Sequence, residues 1–219
     1  MVLKDWLRRN WLRLLVHIGA LLPLFFLLRD HFQGAFIIDP VKEITVTTGR
    51  AALVLLLLSL ACTPINMIFG FRRALRVRRA LGLYAFMYAG LHFMTFVGLD
   101  YAFDFGLLGP AIFDQRFVLV GFAALLLLLA LAITSTRGWQ KRLGRKWKRL
   151  HMLVYLAGGL MIVHFLWAVK DGREPLRYGA VLALLLVVRL PWVRRIVSNA
   201  RHKIKRHTRA LVQANRSVL

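Results

Sequence analysis

Long apolar segments, each about as long as a membrane-crossing helix, constrain the fold of this chain more than any other feature. Six of them can be recognised, at residues 11–28, 44–69, 80–99, 117–134, 150–169 and 176–193. A helix that crosses a bilayer needs about 20 mainly apolar residues. The sixth segment is the weakest, because Arg189 and Pro191 interrupt its end. No ladder of short alternating strands is visible, so the pattern predicts an all-α, polytopic membrane bundle of six helices.

The charged residues are concentrated between the apolar segments. The chain is 59% hydrophobic, yet 32 lysines and arginines against 9 acidic residues give it a net charge of +23. A nucleic-acid-binding domain would carry such a charge on a soluble surface. Here we expect no nucleic acid partner and instead expect contact with membrane lipid. The single cysteine, Cys62, excludes an intrachain disulfide and a cysteine-ligated cluster within one chain.

The distribution of the basic residues predicts the orientation of the bundle. Most of them lie at the amino end, in the second-to-third and fourth-to-fifth connections, and in the tail that begins at Arg189. Basic connections stay in the cytoplasm, so we expect both termini there, in a multi-pass membrane protein. Residues 1–193 are expected to form the transmembrane domain and residues 194–219 a basic cytoplasmic tail. No internal repeat stands out.

Three histidines lie within the apolar segments. His92 belongs to the third segment, and His151 and His164 lie thirteen residues apart in the fifth. A polar ring is costly in hydrocarbon, which makes an intramembrane histidine a candidate functional residue. Imidazole is also a common axial ligand of haem iron. The leading hypothesis is therefore a protein that carries electrons through a membrane on b-type haem.

His92 and His164 are expected at the same depth. The third and fifth segments run in the same direction, and each histidine lies roughly 18–21 Å from the cytoplasmic end at about 1.5 Å per residue. Two imidazoles at one depth on facing helices can hold one haem between them. The alternative is that each buried histidine only forms hydrogen bonds that hold the helices together.

His151 lies at the cytoplasmic edge, roughly 19–20 Å from His164 by the same helical rise. It could serve a second haem, with His17 of the first segment as partner, with a non-histidine or water partner, or alone. Thirteen residues leave His151 and His164 roughly 140° apart around an ideal helix, so they need not face the same neighbour. His17 is expected to be structural. The basic run from Arg142 to His151 could bind a flavin phosphate or an acidic donor protein, or only anchor the helix.

Two stretches carry a family resemblance. RRALGLYAFMYAGLH, at 78–92, has the pattern RR-x-LG-x-Y before the first histidine. RLGRKWKRLHMLVYLAGGLMIVH, at 142–164, has LG-x-x-W-x-x-LH followed by a histidine thirteen residues later. In these patterns, and over nearly its whole length, the chain resembles the ferric-reductase-like transmembrane family.

The resemblance implies a b-type haem whose iron is bound by His92, His151 and His164, together with an FMN. It implies electron delivery to MsrP, a periplasmic molybdopterin enzyme that reduces methionine sulfoxide in oxidised proteins. The quinol pool or a separate cytoplasmic flavin reductase would be the donor. The catalytic site is expected on the partner, and no catalytic residue is assigned here.

Larger relatives carry a cytoplasmic FAD/NADPH domain after the sixth span, where only about 26 residues follow here. They also have a second histidine on the third span, where this chain has Arg78 and Arg79. The chain is therefore not expected to oxidise NADPH by itself. A stand-alone ferric or quinone reductase is one alternative, and a non-redox membrane protein with structural histidines is another.

Overall fold

The computed structural model describes residues 2–34, 39–193, 195–197 and 199. Within these ranges nine α-helices have defined bounds and no strand occurs, which confirms the predicted all-α class. The helices are α1 Val2–Phe32, α2 Pro40–Phe69, α3 Arg72–Thr95, α4 Phe105–Asp114, α5 Arg116–Ile133, α6 Arg137–Leu143, α7 Arg145–His151, α8 Leu153–Ala168 and α9 Arg173–Val187. The predicted tail, 194–219, lies almost entirely outside the described residues.

Five stretches are long and apolar enough to cross a bilayer, which confirms a polytopic membrane protein. They are Asn10–Phe32, Pro40–Phe69, Arg72–Asp100, Arg116–Ile133 and Arg145–Ala168, and they correspond to the first five predicted segments. The sixth segment contains α9, which has only 15 residues. Such a helix rises roughly 22 Å, less than the hydrocarbon thickness of about 30 Å. The sixth crossing and the location of the termini stay predictions.

The α2–α3 hairpin has ends that its sequence explains. The Asp39 carboxylate accepts a hydrogen bond from the backbone N–H of Lys42 at 3.0 Å, and Pro40 follows at the first helical position, where no N–H is needed. At the other end Gly70 has φ of 70°, a left-handed conformation that suits glycine, and its N–H bonds to the Asn66 carbonyl. The turn is so short that α2 and α3 pack side by side.

Four helices, α2, α3, α5 and α8, form the centre of the bundle, because α3 contacts both α2 and α5 while α8 packs on α5 and α2. Small residues allow close approach at these contacts: Ala52 on α2, Ala85 on α3 and Ala157 on α8 have almost no exposed surface. Helix α1 lies outside α3, and α9 lies against α8 and α2. Large apolar side chains are exposed on the outer faces of several helices, where lipid would contact them.

The connections contain more helix than the apolar pattern predicts. The segment between the third and fourth spans includes α4, whose first turn is capped by the Asp104 carboxylate through the N–H groups of Gly106 and Leu107. The basic fourth-to-fifth connection folds into α6 and α7. These two short helices meet at Gly144, which has φ of 48°. That conformation is strained for any residue with a side chain.

Candidate functional site

His92 lies on α3 and points its imidazole at the backbone of α2. Its Nδ1 is 2.9 Å from the carbonyl oxygen of Thr45. Because a carbonyl can only accept, Nδ1 carries the proton and donates it, which leaves Nε2 as the basic nitrogen. Within the described residues Nε2 has no hydrogen-bond partner. A histidine held in this way has its free nitrogen available for a ligand.

His164 makes the same contact from α8 to α5. Its Nδ1 lies 2.7 Å from the carbonyl oxygen of Phe117 and donates the hydrogen bond. The ring of Phe117 also packs near the imidazole, with ring centres 6.0 Å apart. In the part of the chain that the structure describes, Nε2 is again without a hydrogen-bond partner.

Each imidazole rests on a glycine one helical turn after its carbonyl partner. A Cβ placed on Gly49 would lie 3.1 Å from Nδ1 of His92, and a Cβ placed on Gly121 would lie 2.5 Å from Nδ1 of His164. The second distance is shorter than any real contact of this kind. The space that holds His164 therefore exists only because residue 121 has no side chain.

The two imidazoles lie next to each other at the centre of the bundle. Their ring centres are 5.9 Å apart and the ring planes are nearly perpendicular, at 88°. Metal–imidazole bonds are about 2 Å long, so two imidazoles bound to opposite sides of one metal ion have ring centres roughly 6 Å apart. The predicted pairing of His92 and His164 across two helices is thus present in the fold.

These contacts belong to an internal repeat, and the expectation that the chain has none was wrong. In both halves the histidine follows its carbonyl partner by 47 residues. Equivalent positions are all 72 residues apart: Thr45 and Phe117, Gly49 and Gly121, Ala85 and Ala157, His92 and His164. Hairpin α2–α3 therefore corresponds to α5 with α8.

His151 is not brought together with this pair. It ends α7, where its ring stacks on Trp147 with centres 4.1 Å apart. Its Nε2 lies 3.3 Å from the Thr134 hydroxyl, whose own proton is directed at the Ala130 carbonyl at 2.7 Å. The hydroxyl oxygen must then accept from His151, which places the proton on Nε2. Its tautomer is therefore the opposite of that in His92 and His164.

His17 does not pair with His151 in this structure. The Nδ1 of His17 is 2.9 Å from the hydroxyl of Tyr84 on α3, and the His17 side chain is exposed. The contact joins two helices, as expected for a structural residue. Of the sequence-predicted site residues, only His92 and His164 therefore meet.

Four residues of the site were not predicted: the residues of α2 and α5 whose carbonyls accept the histidine hydrogen bonds, Thr45 and Phe117, and the glycines that follow them, Gly49 and Gly121. A backbone carbonyl leaves no trace in a sequence, since every residue has one. The glycines do leave one, because G-x-A-A-L occurs at 49–53 and again at 121–125. Reading that repeat together with the spacing to each histidine would have located both glycines.

Two neighbouring imidazoles are a donor set that could hold a haem. Among the described residues no group of three or more His, Cys, Asp or Glu side chains could hold a metal ion. A haem needs only two protein ligands, one on each face of its iron. A ligating histidine normally donates its other ring N–H to a carbonyl or carboxylate, as both histidines do here. The glycines leave the rings room in the tightly packed core, so these residues fit the group.

Comparison with known proteins shows the family of the chain. The family model described as "Ferric reductase like transmembrane component" matches residues 48–162, a range that includes His92 and His151 and ends two residues before His164. The chain belongs to the ferric-reductase-like transmembrane family. Membership confirms the resemblance seen in the sequence patterns around His92 and His151.

Individual relatives within the family are similar over most of their length. A protein of Xanthomonas axonopodis pv. citri is 46% identical over 179 residues, which cover 78% of this chain and 82% of the relative. One of Rhodospirillum rubrum is 44% identical over 197 residues, covering 89% and 94%. Both are named protein-methionine-sulfoxide reductase heme-binding subunit MsrQ.

Proposed function

We propose that this chain binds haem b and carries electrons across the membrane as a subunit of a methionine sulfoxide reductase system. The observation that carries the proposal is the pair of His92 and His164. Their ring centres are 5.9 Å apart, and each Nδ1 is hydrogen-bonded to a backbone carbonyl. Haem iron bound between two imidazoles takes up and releases one electron at a time. The names of the MsrQ relatives agree with both parts of the proposal.

The protein residues would prepare this site in two ways. The carbonyls of Thr45 and Phe117 fix the tautomer and make each Nε2 a stronger base. Gly49 and Gly121 set how far each ring can approach its neighbouring helix. Both effects act before any electron arrives, so the ligands need not rearrange when the charge on the iron changes.

The partner on the outer side would be MsrP, the periplasmic molybdopterin enzyme that the family resemblance implies. Electrons would come from the quinol pool or from a cytoplasmic flavin reductase, with FMN as a second cofactor. His151, stacked on Trp147 at the end of the basic connection, would serve an inner haem or the step next to the flavin. The basic tail would face the cytoplasm, in the bacterial inner membrane.

Electron transfer to MsrP can be tested with purified components. The full-length chain, expressed with added haem, is reduced anaerobically, and its visible spectrum is followed. We expect sharp α and β bands of six-coordinate haem that disappear only when MsrP and a methionine sulfoxide peptide are both present. A chain with no reducible chromophore would contradict the proposal.

A stand-alone ferric or quinone reductase is the second candidate, because the family model that matches is named for ferric reductase. The same experiment separates the two functions. Rapid oxidation by ferric citrate or a soluble quinone, without acceleration by MsrP and its substrate, would favour the second candidate.

A further inference from the structure

A cavity of about 270 Å³ lies between α1 and α3, away from the histidine pair. Arg13, Arg76 and Arg79 form its polar side, and His17 lines it as well. Val16 and Leu83 are among the apolar residues of its wall. Arg76 and Arg79 reach the same cavity because residues three or four apart on a helix lie on the same face.

Among the described residues no acidic side chain forms a salt bridge with any of the three guanidinium groups. The salt bridges in this part of the chain involve other arginines, and Arg13, Arg76 and Arg79 make no polar contact with another described residue. Like charges around one cavity repel each other unless an anion lies between them. The cavity therefore suits a ligand with at least one negative charge, such as a phosphate.

The surroundings of the cavity favour a ligand that is apolar at its other end. Only 6% of the α1 span is buried inside the protein, against 50% of the α2 span. On α1, Leu15, Ile18 and Leu22 extend beyond the arginines as exposed apolar side chains. A soluble anion would leave this surface uncovered, whereas acyl chains would cover it.

We propose that this cavity binds the phosphate of an anionic phospholipid of the cytoplasmic leaflet. The headgroup lies between Arg13, Arg76 and Arg79, and the acyl chains lie along the outer face of α1. Basic pockets between transmembrane helices on the cytoplasmic side bind anionic lipid in this way. The lipid compensates the charge and fixes α1, which few protein contacts hold. The site does not depend on the function proposed above.

Native mass spectrometry of the full-length protein tests the site. The protein is mixed with equal amounts of phosphatidylglycerol and phosphatidylcholine, and the bound lipid is identified. We expect one tightly held phosphatidylglycerol per chain. Because each arginine near an anionic headgroup contributes about fivefold, Arg76→Gln/Arg79→Gln should lower the preference roughly 25-fold. Arg13→Gln alone provides a second test if the double variant aggregates.

The matched control is Arg137→Gln/Lys141→Gln, which removes two basic charges from the same side of the protein but not from the cavity. It should keep the preference. Equal binding of both lipids by the unmodified chain would overturn the proposal. So would an equal loss of the preference for phosphatidylglycerol in the two double variants. Displacement of the bound lipid by inorganic phosphate or FMN would also overturn it, because the ligand would then be a soluble phosphate compound.

Discussion

The imidazole of His164 donates a hydrogen bond to the carbonyl of Phe117, and the glycine one turn later, Gly121, is what allows the ring to come so close. The same three-part contact holds His92 against α2 through Thr45. Two separate helix pairs therefore present equivalent imidazoles to the centre of the bundle. Variants of these residues test whether the two imidazoles bind haem.

Removal of either central histidine should abolish most haem binding. His92→Ala or His164→Ala takes away one of two axial ligands, and the remaining imidazole cannot give a six-coordinate iron. The measurement is the Soret absorbance per chain after purification, with and without added imidazole. We expect imidazole to restore part of the signal. His17→Ala is the control and should keep the full signal, and an unchanged Soret band in both central variants would show that the assignment is wrong.

Gly121→Ala should impair the site more than Gly49→Ala. A Cβ at residue 121 would lie 2.5 Å from the His164 ring, whereas one at residue 49 would lie 3.1 Å from His92. The first contact forces the ring to move, and the second requires a shift of only a few tenths of an ångström. Haem content per chain and the position of the reduced α band report the two effects.

Gly159→Ala is the matched control for these variants. It also lies on a central helix, but nothing comes within 4 Å of an added Cβ. It should bind haem as the unmodified chain does. A loss of haem in Gly159→Ala equal to that in Gly121→Ala would mean that helix stability, and not the position of His164, explains the result.

His151→Ala tests whether a second haem exists. If His151 serves an inner haem, the variant should contain less haem per chain while the spectrum of the central pair persists. Thr134→Val provides the companion test, because it removes the oxygen that accepts from Nε2 without removing the ring. An unchanged haem-to-protein ratio in His151→Ala would leave His151 a role only in packing or at the flavin.

Tyr88→Phe should destabilise the bundle without changing the site. The Tyr88 hydroxyl is buried between α3 and α1, where it donates to the Ala20 carbonyl at 2.7 Å and accepts from the Leu24 N–H at 3.1 Å. In a regular helix the Ala20 carbonyl and the Leu24 N–H, four residues apart, bond to each other. In α1, which Pro23 interrupts, the Tyr88 hydroxyl bridges these two groups. Loss of these two hydrogen bonds should lower the free energy of unfolding by about 1–3 kcal/mol.

The thermal unfolding midpoint in detergent measures this cost. Tyr84→Phe is the control, because the Tyr84 hydroxyl bonds only to the exposed His17. This variant should change the free energy of unfolding by no more than about 0.5 kcal/mol. Equal destabilisation by the two variants would show that the bridge to α1 contributes nothing special.

The sequence predicted the features that depend on the length of an apolar segment or on the chemistry of a single side chain. Apolar runs predicted five helices that are long and apolar enough to cross a bilayer. The cost of a polar ring in hydrocarbon pointed to His92 and His164. The sixth span shows where this approach reached its limit. Val187 ends α9, and Arg189 just beyond it binds back to the Tyr155 hydroxyl at 2.5 Å and to the Leu60 carbonyl. A hydropathy pattern cannot show that an arginine forms hydrogen bonds to two other helices of the bundle.

By itself the sequence determined the fold class, the family and the identity of the two central histidines, because these depend on composition and on spacing along one chain. Only the tertiary structure decided how the histidines are held. The carbonyls of Thr45 and Phe117, 47 residues from their partners, become neighbours through helix packing alone. It also decided that His151 stands apart with the opposite tautomer. The reason in each case is that a hydrogen bond depends on distance and direction in space, and helical spacing fixes these only within a single helix.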